Sequence, residues 1–343
     1  MVLPFQAIVG AIARIEPQRL CMHPRASSTT CNSIVAAHTV QRSGALSRLV
    51  DDSNHVLHFN PTQRDRAGLC RPCRTGWHDA STFTGFCAHH DSTTFAPIEN
   101  RPFEGSGEQR FLLAYRALCY EIHEKRHSLK IRPRLQELGA QGHSSERKAD
   151  LVHTYDVMDA GTRTGLDHLE KQKSRMDSEL LSSDYSGWTG CTIRFAGDLV
   201  IATAGVVSPN KDLSGRPLQT LHDISRPDQA TVMCSVVPVE NGLAVAFAHR
   251  QEYTASRLFV ESLLAREPEL PDLLVQFFFV HLGNTWFSPK WWAALSTEKE
   301  THLRRLATIA HPYYTDVEYR KLNLTNWKLV GIQYAAPDIG LGQ

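Results

Sequence analysis

The pattern of apolar positions predicts two successive amphipathic helices near the middle of the chain. A first helix is predicted over about residues 107 to 126, where Ser106 and Gln109 form a capping box at its start. Its apolar face recurs at helical spacing and consists of Phe111, Tyr115, Leu118 and Ile122. Residues 144 to 182 are helical in pattern and heavily charged, with the stripe Leu151, Tyr155, Met158, Leu166 and Leu169. Two such helices in succession predict a helical hairpin.

After residue 182 the pattern becomes typical of strands. The runs CTIRFAG, DLVIATAGVV, ATVMCSVVPV and LAVAFAHR are short and rich in β-branched residues and alanine. The last two flank Glu240-Asn241-Gly242, a turn signal that predicts an antiparallel hairpin. The run LLVQFFFVHL is either a buried strand or a buried helix, because periodicity does not separate the two. Helix starts at Ser288-Pro289 and at Thr297 complete an α+β pattern with an antiparallel sheet.

The first hundred residues differ in amino-acid composition from the rest of the chain. Residues 20 to 100 are rich in Cys, His, Ser, Thr and Arg and contain few long apolar runs, so a metal is expected to stabilise them. The predicted division is a zinc-binding module over 15–103, a helical region over 104–182 and an α+β domain over 183–343. Residues from about 190 onward carry enough apolar runs to be expected to fold alone.

Charge, hydropathy and missing motifs limit the partners, location and reactions that can be expected of this protein. The net charge of +1 means that any nucleic-acid surface must be a local patch. The apolar opening MVLPFQAIVGAIA is shorter than the ~20 residues that span a bilayer and lacks a basic n-region. We therefore expect no signal peptide, no membrane association and a cytoplasmic location. The sequence contains no phosphate-binding loop, no dinucleotide-binding fingerprint and no serine-nucleophile elbow.

Five of the eight cysteines fall in the first 90 residues, and they indicate a metal site rather than disulfides. Cys87 and His90 lie three apart, so both side chains can reach one zinc ion from the first turn of a helix. Two upstream pairs can complete the site, and the predicted ligands are Cys21, Cys31, Cys87 and His90, with His23, Cys70, Cys73, His89 and Asp91 as alternatives. One is Cys21 with Cys31, for which His23 is a substitute; the other is Cys70 with Cys73, whose spacing is better. The remaining cysteines are predicted to be buried, inert thiols.

The order of a cysteine pair, His38, Asn54 and then Cys87-x-x-His90 resembles the HNH family, the ββα-metal endonucleases. The resemblance extends to poorly characterised bacterial zinc proteins found near mobile elements and phage defence, and it covers only residues 20 to 100. It implies a treble-clef zinc module, with His38 as the general base and Asn54 as the residue that orients it. It also implies that His89 or Asp91 binds a catalytic Mg²⁺ or Mn²⁺, which would stabilise charge on phosphate.

The sequence also departs from the family pattern. Ala37 stands before His38 where the family has an aspartate, so one metal ligand is missing, and the first cysteine pair is widely spaced. Two hypotheses follow: a protein that acts on nucleic acid as a metal-dependent nuclease, or a non-catalytic binding or scaffold protein with a structural zinc finger.

Two further groups of residues are candidates for contact with a partner molecule. Nucleic-acid contact is predicted from a basic cluster formed by Arg64, Arg66, Arg71 and Arg74. An aromatic group in the C-terminal domain is predicted to be core or a subunit interface, which would allow a protein partner or a homo-oligomer: Trp286, Phe287, Trp291 and Trp292.

Overall fold

The computed structural model describes residues 5–221, 228–309 and 317–334, and it has the predicted α+β architecture. The helices are α1 (Phe5–Ile12), α2 (Ser47–Leu49), α3 (Ala88–Thr94), α4 (Ala96–Glu99), α5 (Gly107–Ala140), α6 (Ser145–Ser182), α7 (Thr254–Leu264), α8 (Leu270–His281), α9 (Pro289–Ala293) and α10 (Thr297–Thr308). The strands are β1 (Ile34–His38), β2 (His55–Arg64), β3 (Cys70–Gly76), β4 (Thr82–Cys87), β5 (Trp188–Ala196), β6 (Ile201–Val207), β7 (Val232–Val239), β8 (Gly242–Arg250), β9 (Thr285–Phe287) and β10 (Lys328–Tyr334). A π-helical turn (Arg42–Leu46) and a 3₁₀ turn (Glu267–Glu269) complete the elements.

An eight-stranded antiparallel sheet forms the centre of the molecule. Its order is β10-β5-β8-β7-β6-β9-β2-β3. The predicted hairpin is strands β7 and β8, and Asn241 in its turn has a φ of 58°, a left-handed conformation that asparagine tolerates. Short strand β9 pairs with β6 on one side and with β2 on the other. Strands β2 and β3 therefore extend the sheet across the predicted boundaries at 103 and 182, and that domain division stays a prediction.

The predicted helical hairpin is confirmed, and its first helix is longer than predicted. Helices α5 and α6 have 34 and 38 residues, and the hydroxyl groups of Ser106 and Ser144 cap their N-termini. Helix α5 passes through Pro133 and ends only at Ala140. Tyr115 on α5 is fully buried and donates a hydrogen bond to Asp177 on α6 at 2.6 Å. No helix in the described ranges is long and apolar enough to cross a membrane.

The ambiguous run LLVQFFFVHL forms most of helix α8. Pro271 in its first turn fits a helix start, and nearly all of its side chains are buried, so no exposed face is left to reveal a helical period. The aromatic group packs around this helix: Phe287 lies 5.2 Å from Phe279 and 5.0 Å from Trp292 between ring centroids. This packing places Trp286, Phe287 and Trp292 in the core, with the half-buried Trp291 packed against them. The role of the aromatic group as a subunit interface stays a prediction.

The aromatic residues of the N-terminal segment pack on helix α5. Strands β1 and β4 form a separate two-stranded sheet. Phe83, Phe86 and Phe95 are buried, and their cluster includes Tyr115 and Leu118 of α5. The N-terminal segment has few core residues of its own, and it completes its core by packing on helix α5. This packing fixes the junction of β4 and α3, where the metal site lies.

Candidate metal centre

Cys21, Cys31, Cys87 and His90 converge on one point. The Nδ1 atom of His90 lies 3.4 Å from the Cys21 sulfur, 3.4 Å from the Cys31 sulfur and 3.3 Å from the Cys87 sulfur. All four ligand atoms lie within 4.8 Å of one another. Zinc bonds of about 2.3 Å to sulfur and 2.0–2.1 Å to nitrogen give tetrahedral edges of roughly 3.5–3.8 Å. The arrangement can therefore hold a zinc ion as a Cys₃His site.

The two upstream ligands are placed by backbone hydrogen bonds. Cys21 lies alongside β4, because Leu20 N–H donates to the Thr84 carbonyl at 3.2 Å and Met22 N–H donates to the Gly85 carbonyl at 2.9 Å. Cys31 ends a turn in which its own N–H donates to the Ser27 carbonyl at 2.9 Å. The nine residues between the two cysteines thus fold back on themselves, which brings the sulfurs together despite their wide spacing.

The two downstream ligands lie at the junction of strand β4 and helix α3. Cys87 is the N-cap of α3, and its sulfur accepts a hydrogen bond from the backbone N–H of His90 at 3.4 Å. One helical turn separates the two ligands, as their spacing predicts. Along the chain, the loop ligands come before the paired strands β1 and β4, and the other two ligands stand at the start of α3. This is the treble-clef-like order expected for this segment, except that β2 and β3 are inserted between the paired strands.

The environment of the cluster affects its protonation. Burial raises the pKa of the Cys21 thiol to about 11, while the pKa of Cys31 is lowered because hydrogen bonds, led by that from Thr30, outweigh desolvation. Burial also lowers the pKa of His90, so its imidazole is neutral near pH 7 and can ligate a metal. Metal binding at the three thiols releases their protons, so affinity for zinc falls as the pH is lowered.

All five alternative ligands lie outside the cluster. His23 stacks on His90 with ring centroids 3.9 Å apart and an interplanar angle of 12°, so it supports the ligand from one side. His89 is exposed. Asp91 faces the guanidinium of Arg116 at 3.9 Å.

The pair with the better spacing, Cys70 and Cys73, lies in strand β3. Cys70 donates to the Ala307 carbonyl at 3.5 Å, and Cys73 donates to the Arg71 carbonyl at 3.6 Å. In an extended strand, residues three apart point to opposite faces, so the two sulfurs diverge. A Cys-x-x-Cys spacing brings sulfurs together in a turn or at the start of a helix, and these two cysteines lie in a strand.

His38 and Asn54 occupy separate positions, and neither belongs to the Cys₃His cluster. His38 ends strand β1, and its buried Nε2 atom has no hydrogen-bond partner among the residues that the structure describes. Burial, with a smaller contribution from Arg42, lowers the pKa of His38. Asn54 lies in the turn before β2, where its backbone bonds to Asp51 and Trp77 and its φ is 59°. Asn54 thus shapes a turn by its backbone.

Sequence reasoning missed Arg116, a charged residue in the middle of helix α5. Its side chain is only 3% exposed, pairs with Glu99 and lies 4.1 Å above the ring of Phe95. Within the described part of the chain, the Nε atom of Arg116 and the Oδ1 atom of Asp91 are buried without hydrogen-bond partners. The available signal was an arginine inside the otherwise apolar run FLLAYRALCY. The guanidinium supplies the positive charge beside Asp91 and Glu99, which disfavours a divalent cation there.

The predicted basic cluster lies on the hairpin of strands β2 and β3. Its four arginines are exposed. Arg74 pairs with Asp51 at 2.6 Å, and Arg64 donates to the carbonyls of Pro61 and Gly68. Within the described ranges, Arg66 and Arg71 form no ion pair. These two side chains are therefore available to a partner.

Comparison with known proteins gives no match among protein families, curated proteins or solved structures. The function is therefore argued from the chemistry of the sites.

Proposed function

We propose that this chain is a zinc-binding protein in which the metal is structural and the fold serves as a non-catalytic binding scaffold. The observation that carries the proposal is the closed Cys₃His set, in which all four tetrahedral positions are taken by protein atoms. Structural zinc sites use four protein ligands, whereas catalytic sites keep one position open for water or substrate.

The proposed zinc ion joins parts of the chain that share few other contacts. Residues 23 to 33 contain no regular element and have mostly exposed or half-buried side chains. Their contacts with α3 include Cys31 in the metal cluster, the stacking of His23 on His90, and a backbone hydrogen bond from Ala88 to Ser33 at 2.9 Å. The four ligands come together only when the loop is folded. The free energy of zinc binding therefore contributes directly to folding.

Removal of one ligand tests the proposal. We expect the purified protein to carry about one zinc per chain, and Cys87→Ser to lose that metal and melt at a lower temperature. Cys73→Ser is the matched control, because this partly exposed thiol lies outside the cluster. Elemental analysis and thermal melts with and without chelator provide the measurements. A Cys87→Ser protein with wild-type metal content would refute the assigned ligands.

A second candidate function is the metal-dependent nuclease of the HNH resemblance, in the setting of phage defence. Its support is His38, whose buried Nε2 has no hydrogen-bond partner among the described residues and whose pKa is lowered by burial. A neutral imidazole has the chemistry of a general base. Against this candidate stand the missing aspartate at Ala37 and the guanidinium of Arg116 beside Asp91.

Incubation with plasmid DNA and with RNA in magnesium, manganese or chelator separates the two functions. The scaffold proposal expects no cleavage in any of these conditions. Metal-dependent cleavage that disappears in His38→Ala would establish the nuclease instead, since a general base acts on the transition state and not on the fold.

A further inference from the structure

A groove of about 710 Å³ lies at one end of the central sheet, outside the metal centre. Its floor is formed where the β5–β6 connection, the β7–β8 turn and the start of α9 meet, and Arg48 of α2 lies at its edge. Small-molecule sites in proteins fall in the same range of volume, roughly 300–1,000 Å³. The lining is half polar in character, with cationic, amide and aromatic side chains together.

Two cations from different parts of the chain border the groove. Arg48 donates to the Val239 carbonyl at 3.3 Å, which holds its guanidinium at the end of strand β7. Lys290 pairs with Asp52 at 2.8 Å, and this hydrogen bond raises the pKa of Lys290. The side chains of Lys290 and Asp52 are 66% and 93% exposed, so their ion pair is weak and an anionic ligand can replace Asp52.

Trp291 forms a fixed flat wall of the groove. Its Nε1–H donates to the Leu324 carbonyl at 2.8 Å, and its ring is parallel to that of Phe279 within 5°. The indole is therefore held from behind and needs little ordering when a ligand arrives. Planar aromatic rings bind nucleobases by stacking, whatever the base.

The polar residues of the groove suit the hydrogen-bonding edge of a base. Asp198 is oriented by the side-chain amide of Asn326 at 2.8 Å, so its carboxylate is a positioned acceptor. Asn241 is exposed in the β7–β8 turn and offers both a donor and an acceptor.

The groove also adjoins the predicted basic cluster. Asp51 pairs with Arg74, and the next residue, Asp52, pairs with Lys290. One turn therefore connects Arg74 of strand β3 to the cations of the groove. A chain of phosphates can follow Arg74, Lys290 and Arg48 along this surface.

We propose that this groove binds a nucleotide unit, with its phosphate between Arg48 and Lys290 and its base against Trp291. The unit is either a free nucleotide or one residue of a single strand, because both present the same phosphate and base. The proposal rests on the binding role proposed above and gives it a ligand class.

A charge-neutral double variant tests the groove. Arg48→Gln/Lys290→Gln should weaken binding of a fluorescein-labelled oligothymidine at least about tenfold and reduce the salt dependence of binding by about two phosphate contacts. Arg257→Gln is the matched control, because Arg257 is 52% exposed and ion-paired on α7, outside the groove. Zinc content and melting temperature of each variant establish that the fold is retained.

Competition identifies the source of the nucleotide unit. Displacement of the labelled strand by adenosine monophosphate, and not by inorganic phosphate, indicates a free-nucleotide site; displacement only by unlabelled strand indicates single-stranded nucleic acid. Absence of wild-type binding to strand and mononucleotide at about 1 mM would overturn the proposal. A double variant that binds like the wild type would also overturn it. Zinc measurements do not depend on this groove, so either proposal can fail while the other stands.

Discussion

At the scale of single residues, the metal centre shows what spacing in a sequence does and does not determine. Cys87 and His90 were predictable because the start of a helix fixes the geometry of residues three apart. Spacing alone did not favour the predicted pair Cys21 and Cys31 over Cys70 and Cys73, because that choice depends on a loop that folds back and on a strand that separates its sulfurs. Arg116 was not predictable either, since only packing reveals its carboxylate partners.

The position of His38 leads to a prediction at this scale. His38→Ala should retain the zinc content of the wild type, because the ring lies outside the Cys₃His cluster. Its stability should change by no more than about 1–2 kcal/mol, since lost packing is offset by removal of a buried, unpartnered Nε2. Elemental analysis and urea unfolding provide the check. Loss of the metal in this variant would make His38 a ligand and refute the assigned set.

At the scale of elements, helix α8 shows why the sequence alone did not distinguish a helix from a strand. A helix buried on all sides and a buried strand carry the same unbroken apolar run. Two polar residues of this helix, Asp272 and Gln276, bind the backbone of the segment before β10, which the apolar pattern does not indicate. Asp272 accepts hydrogen bonds from the backbone N–H groups of Leu322, Asn323 and Leu324 at 2.6–2.7 Å, and Gln276 binds the Arg320 backbone.

Asp272 therefore anchors the segment that precedes β10. Asp272→Asn should lower the free energy of unfolding by about 2–4 kcal/mol, because an amide nitrogen replaces one acceptor facing buried N–H groups. Asp167→Asn, an exposed position on α6, is the control and should change it by less than about 0.5 kcal/mol. Urea denaturation of both variants measures the difference. Equal stabilities would show that the three backbone contacts contribute little.

At the scale of the whole molecule, the α+β class was predictable from patterns, and the sharing of one sheet by distant segments was not. Pairing between β2 and β9 joins residues more than 200 positions apart, and no local period encodes such a partner. This pairing bears on the prediction that residues from about 190 onward fold alone, because part of their core is supplied by β2. Val56 and Leu57 of β2 belong to the same buried cluster as Phe287 and Trp292.

Expression of residues 183–343 decides this point. We expect the fragment to lack a cooperative melt, because removal of β2 and β3 uncovers the edge of β9 and part of the aromatic core. The full chain, purified in the same way, is the control. A soluble fragment with a cooperative thermal transition would support the independent C-terminal domain that the sequence predicts.

Buried and half-buried histidines at several places in the fold give the protein a common response to acid. Burial lowers the pKa values of His58, His249 and His302, and it lowers that of His281 to about 4. For each, the unfolded chain takes up a proton more readily than the folded one. The resulting contribution to stability is complete above the unfolded pKa of about 6.5 and is lost as the pH falls through the folded value.

His281 offers the sharpest test of this response. The shift from about 6.5 to about 4 corresponds to a loss of about 3 kcal/mol of stability between pH 7.5 and pH 4. His281→Gln should reduce the pH dependence of urea unfolding by that amount, whereas His153→Gln, at an exposed position, should leave it unchanged. Loss of zinc in acid affects the wild type and both variants alike, so it cancels in the comparison. Identical pH profiles for His281→Gln and the wild type would mean that His281 does not resist protonation in the folded state.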